Sequence, residues 1–101
     1  MRKSKINISG FKIGTAENRE GLTGVTVILA PDGGATAGVD VRGCAPGTRE
    51  TDLLDPRKTV QKIHAVVLSG GSAFGLEAAS GCVKYLAEQG VGFPIGNVCV
   101  P

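Results

Sequence analysis

Between His64 and Leu76 the chain reads His-Ala-Val-Val-Leu-Ser-Gly-Gly-Ser-Ala-Phe-Gly-Leu, and this stretch limits the fold more than any other. The apolar residues 65–68 lead through Ser69 into Gly70 and Gly71. Ser72 then opens a run of small residues with helical spacing. A buried strand, a glycine turn and a helix start in close succession place free backbone N–H groups and a hydroxyl at one edge of a sheet. That arrangement suits an anion, a carbonyl oxygen or a carboxylate. It selects an α/β (α+β) fold class without selecting a chemistry.

The rest of the composition fits a small aliphatic core. Of 101 residues 42% are hydrophobic, but only 4% are aromatic and 16 are glycine, so Val, Ile, Leu and Ala must do the packing. The formal charge of +2, with signs alternating along the chain, offers no basic stripe for nucleic acid. Residues 1–5 are basic, but a polar alternation follows in place of an apolar signal region. No segment reaches the roughly 20 apolar residues that span a bilayer. A soluble, cytoplasmic protein without membrane or nucleic-acid partners is expected. Cys44, Cys82 and Cys99 are widely spaced and form no Cys-x-x-Cys pair, so they read as small buried thiols; no metal and no cofactor is expected.

In chain order, Ile6 and Ile8 alternate with polar residues, and Phe11 and Ile13 resume the alternation out of phase after Gly10. This predicts a strand over about 5–13 with a bulge or bend. Residues 15–21 are polar and read as a solvated loop. Residues 24–30 are β-branched and predict a buried strand, and Pro31-Asp32-Gly33-Gly34 supplies a turn into a return strand at 35–41. Residues 42–55 have no period and form a long irregular connection, a type of loop often functional or interfacial. Asp55-Pro56 predicts an N-cap and a short helix to about Lys62. The focal strand follows at 64–69, then a main helix over 73–89 capped by Ser72 and stopped by Gly90. Gly75, Ala79, Cys82 and Leu86 form its packing stripe, and Glu77, Ser80, Lys84 and Glu88 its wet face. A last strand is expected at 91–95, after which the chain reads as breaking off: a single incomplete domain over 1–101.

Three chemistries fit the glycine turn incompletely. A serine nucleophile elbow has Phe74 where close packing wants glycine, and its triad needs a His after Ser72, whereas His64 precedes it. A dinucleotide fingerprint has Ser72 in place of the glycine that admits the pyrophosphate. A P-loop lacks the Lys-Ser/Thr after its glycines.

Two longer motifs carry more. Arg42-Gly43-Cys44-Ala45-Pro46-Gly47-Thr48-Arg49-Glu50-Thr51-Asp52-Leu53-Leu54 precedes the His64-to-Leu76 motif, and Thr23-Gly24-Val25-Thr26-Val27-Ile28 and Ala37-Gly38-Val39-Asp40-Val41-Arg42 come earlier. In this order they resemble the L-aminopeptidase/D-esterase (DmpA-like) family from about Ile8 to Gly96. The resemblance implies part of an αββα sandwich of the self-processing N-terminal-nucleophile type. Such enzymes cleave their precursor ahead of a Ser or Thr, whose hydroxyl then attacks with its own α-amino group as base. They release N-terminal amino acids from peptides, amides or esters. Family chains are considerably longer, with the nucleophile in the C-terminal part, so no catalytic residue is expected here and the nucleophile is expected beyond Pro101. Thr15 stands where the family usually carries His. Cys44 replaces a usual second glycine, which disturbs the loop if that glycine has a positive φ.

On this reading Gly70, Gly71, Ser72 and Phe74 are the candidate substrate-binding residues, and Arg42, Arg49, Glu50 and Asp52 a pocket rim or subunit contact. Plainer roles stand beside these: a helix cap for Ser72, core packing for Phe74, a loop ion-pair network for the four charged residues, and a structural hydrogen bond for His64. The expected partners are a small peptide, amide or ester substrate and further copies of the chain in a homo-oligomer. The alternatives are a non-catalytic truncated interaction fragment and a small nucleotide-binding βαβ unit.

Overall fold

The computed structural model describes residues 7–101 and shows a mixed α/β fold. A three-stranded antiparallel sheet is formed by β1 (Lys12–Asn18), β2 (Thr23–Leu29) and β3 (Ala65–Ser69), in the order β1-β2-β3. A helix, α1 (Ala78–Glu88), follows β3, and a hairpin of β4 (Phe93–Ile95) and β5 (Val98–Val100) follows the helix. No helix among the described residues is long and apolar enough to cross a membrane.

The hairpin of the sheet is not the one expected. β2 pairs with β1 through a four-residue turn, from Asn18 opposite Thr23 to Lys12 opposite Leu29. The Asn18 side chain accepts the Gly21 N–H at 2.9 Å and closes that turn. Most of the polar stretch 15–21, read as a solvated loop, is therefore strand and turn. Its Thr, Glu and Asn residues sit on an edge strand exposed along its whole length, so burial leaves no apolar signature. Of the strand expected at 5–13, residues 5 and 6 lie outside the described residues and only Lys12 and Ile13 are strand. The bend at Gly10 does form, with φ +82°.

The Pro31–Gly34 turn closes as expected, with the Gly34 N–H donating to the Pro31 carbonyl at 2.9 Å. The return strand at 35–41 does not form. Both edges of β2 are already taken, by β1 and by β3, and only Ala35 makes a bridge, to Ile63. Every strand pairing among the described residues is antiparallel, so the parallel βαβ unit of the nucleotide-binding alternative does not form there. The helix expected after Asp55 is also absent. Asp55 Oδ1 accepts the Arg57 N–H at 2.9 Å, as an N-cap would, but the chain makes only a turn there. A short 3₁₀ turn, Asp52–Leu54, precedes it.

The helix begins as a 3₁₀ turn, Ser72–Glu77, before α1 proper. Its end matches expectation. Gly90 has φ +70°, its N–H donates to the Ala87 carbonyl, and the Val91 N–H donates to the Leu86 carbonyl at 3.0 Å. This is a Schellman stop, and a residue with a Cβ would be strained at Gly90. Gly75, Ala79 and Cys82 are half-buried, and Leu86 is 6% exposed, the one buried side chain among the described residues. The predicted stripe is thus the packing face. The expected strand at 91–95 shortens to β4, and Gly96 and Asn97 turn it into β5, a strand not expected from the sequence.

The face of β3 bearing Ala65, Val67 and Ser69 lies toward the helix: Ser69 Oγ donates to the Gly75 carbonyl, and Val67 is half-buried. On the opposite face Ile13, Val66 and Leu68 stay exposed. A radius of gyration of 14.8 Å, against about 13 Å for a packed chain of this length, agrees with one covered face and one open face.

Candidate functional site

The end of β3 is shaped by close backbone approach. The Gly70 N–H donates to the Gly24 carbonyl at 2.8 Å, which carries the ladder one step past the strand. Gly71 and Ser72 then both take positive φ, +90° and +58°, and swing the chain off the sheet. For Ser72 that conformation costs on the order of 1–2 kcal/mol. Ser69 Oγ holds the returning chain at the Gly75 carbonyl, 2.8 Å away. Gly75 lies so near Gly70 that a Cβ there would collide with the Gly70 carbonyl. The turn is boxed on its other side by Thr23 Oγ1, which a Cβ on Gly70 would meet at 2.9 Å.

This box leaves Gly70, Gly71, Ser72 and Phe74 together at the sheet end, all exposed. Phe74 is 93% exposed, so the core role expected for it does not hold. Ser72 is not a helix cap either. Capping needs an extended residue just outside the helix, whereas Ser72 is left-handed and inside the 3₁₀ turn, and no side-chain cap bond forms. The nearby tip of the β1–β2 turn presents Leu22, 90% exposed. Ser69, Thr23 and Gly75 were missed as parts of this box, since only the fold brings Thr23 beside Gly70.

The four charged loop residues do not form a network with one another. Arg42 pairs locally with Asp40, Nε to Oδ2 at 2.7 Å. Glu50, with φ +63°, and Asp52 line an open depression of about 450 Å³ with Thr48, Thr51, Leu53 and Lys58. Arg49 alone reaches the glycine-turn region. Its Nη1 donates to Ser80 Oγ at 2.8 Å and to the Leu76 carbonyl at 3.4 Å. A second open depression lies over the sheet, lined by Thr15, Glu17, Val25, Thr26 and Leu68. The His64 carbonyl accepts the Ala30 N–H at 2.9 Å, a backbone bond that continues the β2–β3 pairing.

The strongest local electrostatics lie away from the turn. The Arg57 guanidinium, with help from its own backbone N–H, holds the Asp55 carboxyl down to about 2. Partial burial pushes the Cys82 thiol up. The expectation of three buried thiols fails: Cys44 is exposed, and Cys82 and Cys99 are half-buried. In the Arg42–Leu54 motif the left-handed residues are Gly43, φ +98°, and Glu50, so Cys44 sits without that strain.

The two ordered motifs thus occupy one arrangement, a strand-turn-helix and a long loop tied to it. The family model described as Peptidase family S58 matches residues 5–98. The chain belongs to peptidase family S58. An uncharacterised aminopeptidase of Mycobacterium tuberculosis is 53% identical to the S58 chain over 78 residues, covering 77% of this chain and 22% of the relative. One from Mycobacterium leprae is also 53% identical over 78 residues, covering 77% and 21%. A 6-aminohexanoate-oligomer endohydrolase of Paenarthrobacter ureafaciens is 39% identical over 85 residues, 84% of this chain and 21% of the relative. The S58 chain spans about a fifth of the length of these curated relatives. The resemblance read from the motifs is therefore borne out at the level of the family, one of peptidase-type hydrolases.

Proposed function

We propose that the S58 chain is the N-terminal segment of a self-processing serine-type aminopeptidase, which releases N-terminal amino acids from peptides, amides or esters. Its strand-turn-helix serves as one wall of the substrate cleft. The observation that carries this reading is the exposed turn Gly70–Gly71–Ser72–Phe74, built by glycine contacts and placed within the span matched by the family. Ser72 and the turn amides face the reacting carbonyl, Phe74 contacts the substrate side chain, and Arg42, Arg49, Glu50 and Asp52 form a rim or subunit contact. The nucleophile lies in the portion that follows Pro101 in longer relatives. A second sheet from that portion covers Ile13, Val66 and Leu68 and completes an αββα sandwich. The assembled enzyme is a cytoplasmic homo-oligomer.

The test is to express the 101-residue chain alone and together with the C-terminal four-fifths of a relative, then assay amino-acid p-nitroanilides. Release of p-nitroaniline only in the completed protein is expected. Turnover by the isolated chain would defeat the assignment of the nucleophile.

A second reading is favoured by a separate observation. Ile13, Val66 and Leu68 are all exposed on one sheet face and form a contiguous apolar patch there. A non-catalytic fragment that associates through that face predicts oligomers of the chain alone in size-exclusion chromatography, and a clean monomer excludes it.

A further inference from the structure

Residues 37–61 leave the sheet after the Ala35–Ile63 bridge and return to it only at that same bridge. Within them nearly every hydrogen bond is local: Arg42 to Asp40, Thr51 to Thr48, Leu54 to Thr51, Asp55 to Asp52, and Gln61 to Pro56. Among the described residues one side chain makes hydrogen bonds from this excursion to the rest of the fold. Arg49 Nη1 donates to Ser80 Oγ, 31 positions away, and to the Leu76 carbonyl, 27 positions away. Those acceptors flank the junction between the Ser72–Glu77 turn and α1. The left-handed backbone of Glu50 reverses the loop immediately after Arg49.

We infer that Arg49 is a positioning residue: it hangs the 37–61 excursion on the turn–helix junction and so sets the loop's distance from Gly70–Phe74. This rests on the reading of that turn as a cleft wall, whose second side the excursion then supplies. The physical argument is one of leverage. A surface bond of this kind adds little to global stability, but a loop whose other hydrogen bonds are local loses its fixed position when the one hydrogen-bonded tether to the rest of the fold goes. Both bonds leave one nitrogen, Nη1, and the planar, pre-organised guanidinium holds that donor in place more firmly than a lysine ammonium on its flexible stem would.

Spin labelling of the native exposed Cys44 tests this. Nitroxides are placed at Cys44 and at Lys84→Cys, with Cys82→Ala and Cys99→Ala, and the distance distribution is read by double electron–electron resonance. A single narrow distance is expected in the parent. Arg49→Ala should at least double the width, and Arg49→Lys should restore part of the order. Ser80→Ala should broaden it less, and adding Ser80→Ala to Arg49→Ala should add nothing, since both remove one interaction. A control pair at Glu17→Cys and Lys84→Cys, with Cys44→Ala, reports the sheet–helix distance and should not change. An unchanged width in Arg49→Ala overturns the inference. Equal broadening of the control pair also overturns it, because Arg49 would then support the whole fold. Neither outcome depends on hydrolysis, so failure here leaves the peptidase reading standing, and an inactive completed enzyme leaves the tether standing.

Discussion

The unit running from β3 through the glycine turn to the end of α1 and the excursion at 37–61 are of similar length but are held by different means. In the first, backbone lies against backbone: Gly75 against Gly70, Ser69 Oγ on the Gly75 carbonyl, and a Schellman stop at Gly90. In the second, turns are closed locally and one arginine reaches outward. The glycine turn of the first tolerates almost no added volume. The second tolerates a great deal, so its shape depends on single polar contacts.

The largest effect should come from filling the tight approach. Gly75→Ala places a methyl group into the Gly70 carbonyl, where neither side can yield, and should cost about 3 kcal/mol. Gly47→Ala in the excursion meets nothing within 4 Å and should stay within about 0.5 kcal/mol of the parent. Urea denaturation of the two variants compares them directly, and equal midpoints would erase the distinction. Next comes Leu86→Ala, which empties the single buried position and should cost roughly 2–3 kcal/mol. Val41→Ala, at an exposed loop position, should change the midpoint hardly at all. A Val41 loss matching that of Leu86 would mean that the excursion has a core of its own.

The same contrast decides what could be read from the sequence. The helix stripe, the Gly90 stop, the focal strand and the Pro31–Gly34 turn were legible because each follows from local backbone rules or from period. The return strand at 35–41 was misread because local turn chemistry says nothing about which strand already occupies the edge of β2. β1 escaped because an exposed edge strand carries no apolar alternation. At the candidate site the glycines were legible, but the left-handed Ser72 and the exposed Phe74 were not, since both follow from the Gly75–Gly70 contact across the turn. Arg49 was singled out, yet its partner, Ser80, was read only as part of a wet helix face.

The smallest expected effect is electrostatic and belongs to the excursion. Arg57 holds the folded Asp55 carboxyl at about 2, below its ordinary value near 3.8. A carboxyl depressed on folding stabilises the fold above its unfolded value, and that contribution is lost as pH falls from about 4 toward about 2. Arg57 is largely exposed and solvent screens the pair, so the loss should be slight. Asp55→Asn should flatten the stability profile only in that window, as followed by thermal melts at pH 2 to 6. A change at neutral pH larger than the acid-range change would show that the Asp55 turn matters for its shape rather than for its charge.

The central place of β2 also has a kinetic meaning. Its pairing with β1 closes a turn of four residues, whereas its pairing with β3 must first bring together Leu29 and Ala65 across the intervening 35. Chain-closure entropy makes the second event dearer by about 2 kcal/mol. Closure entropy alone therefore predicts two unequal steps for the sheet, a fast hairpin and a slower arrival, with the strand that carries the glycine turn joining second.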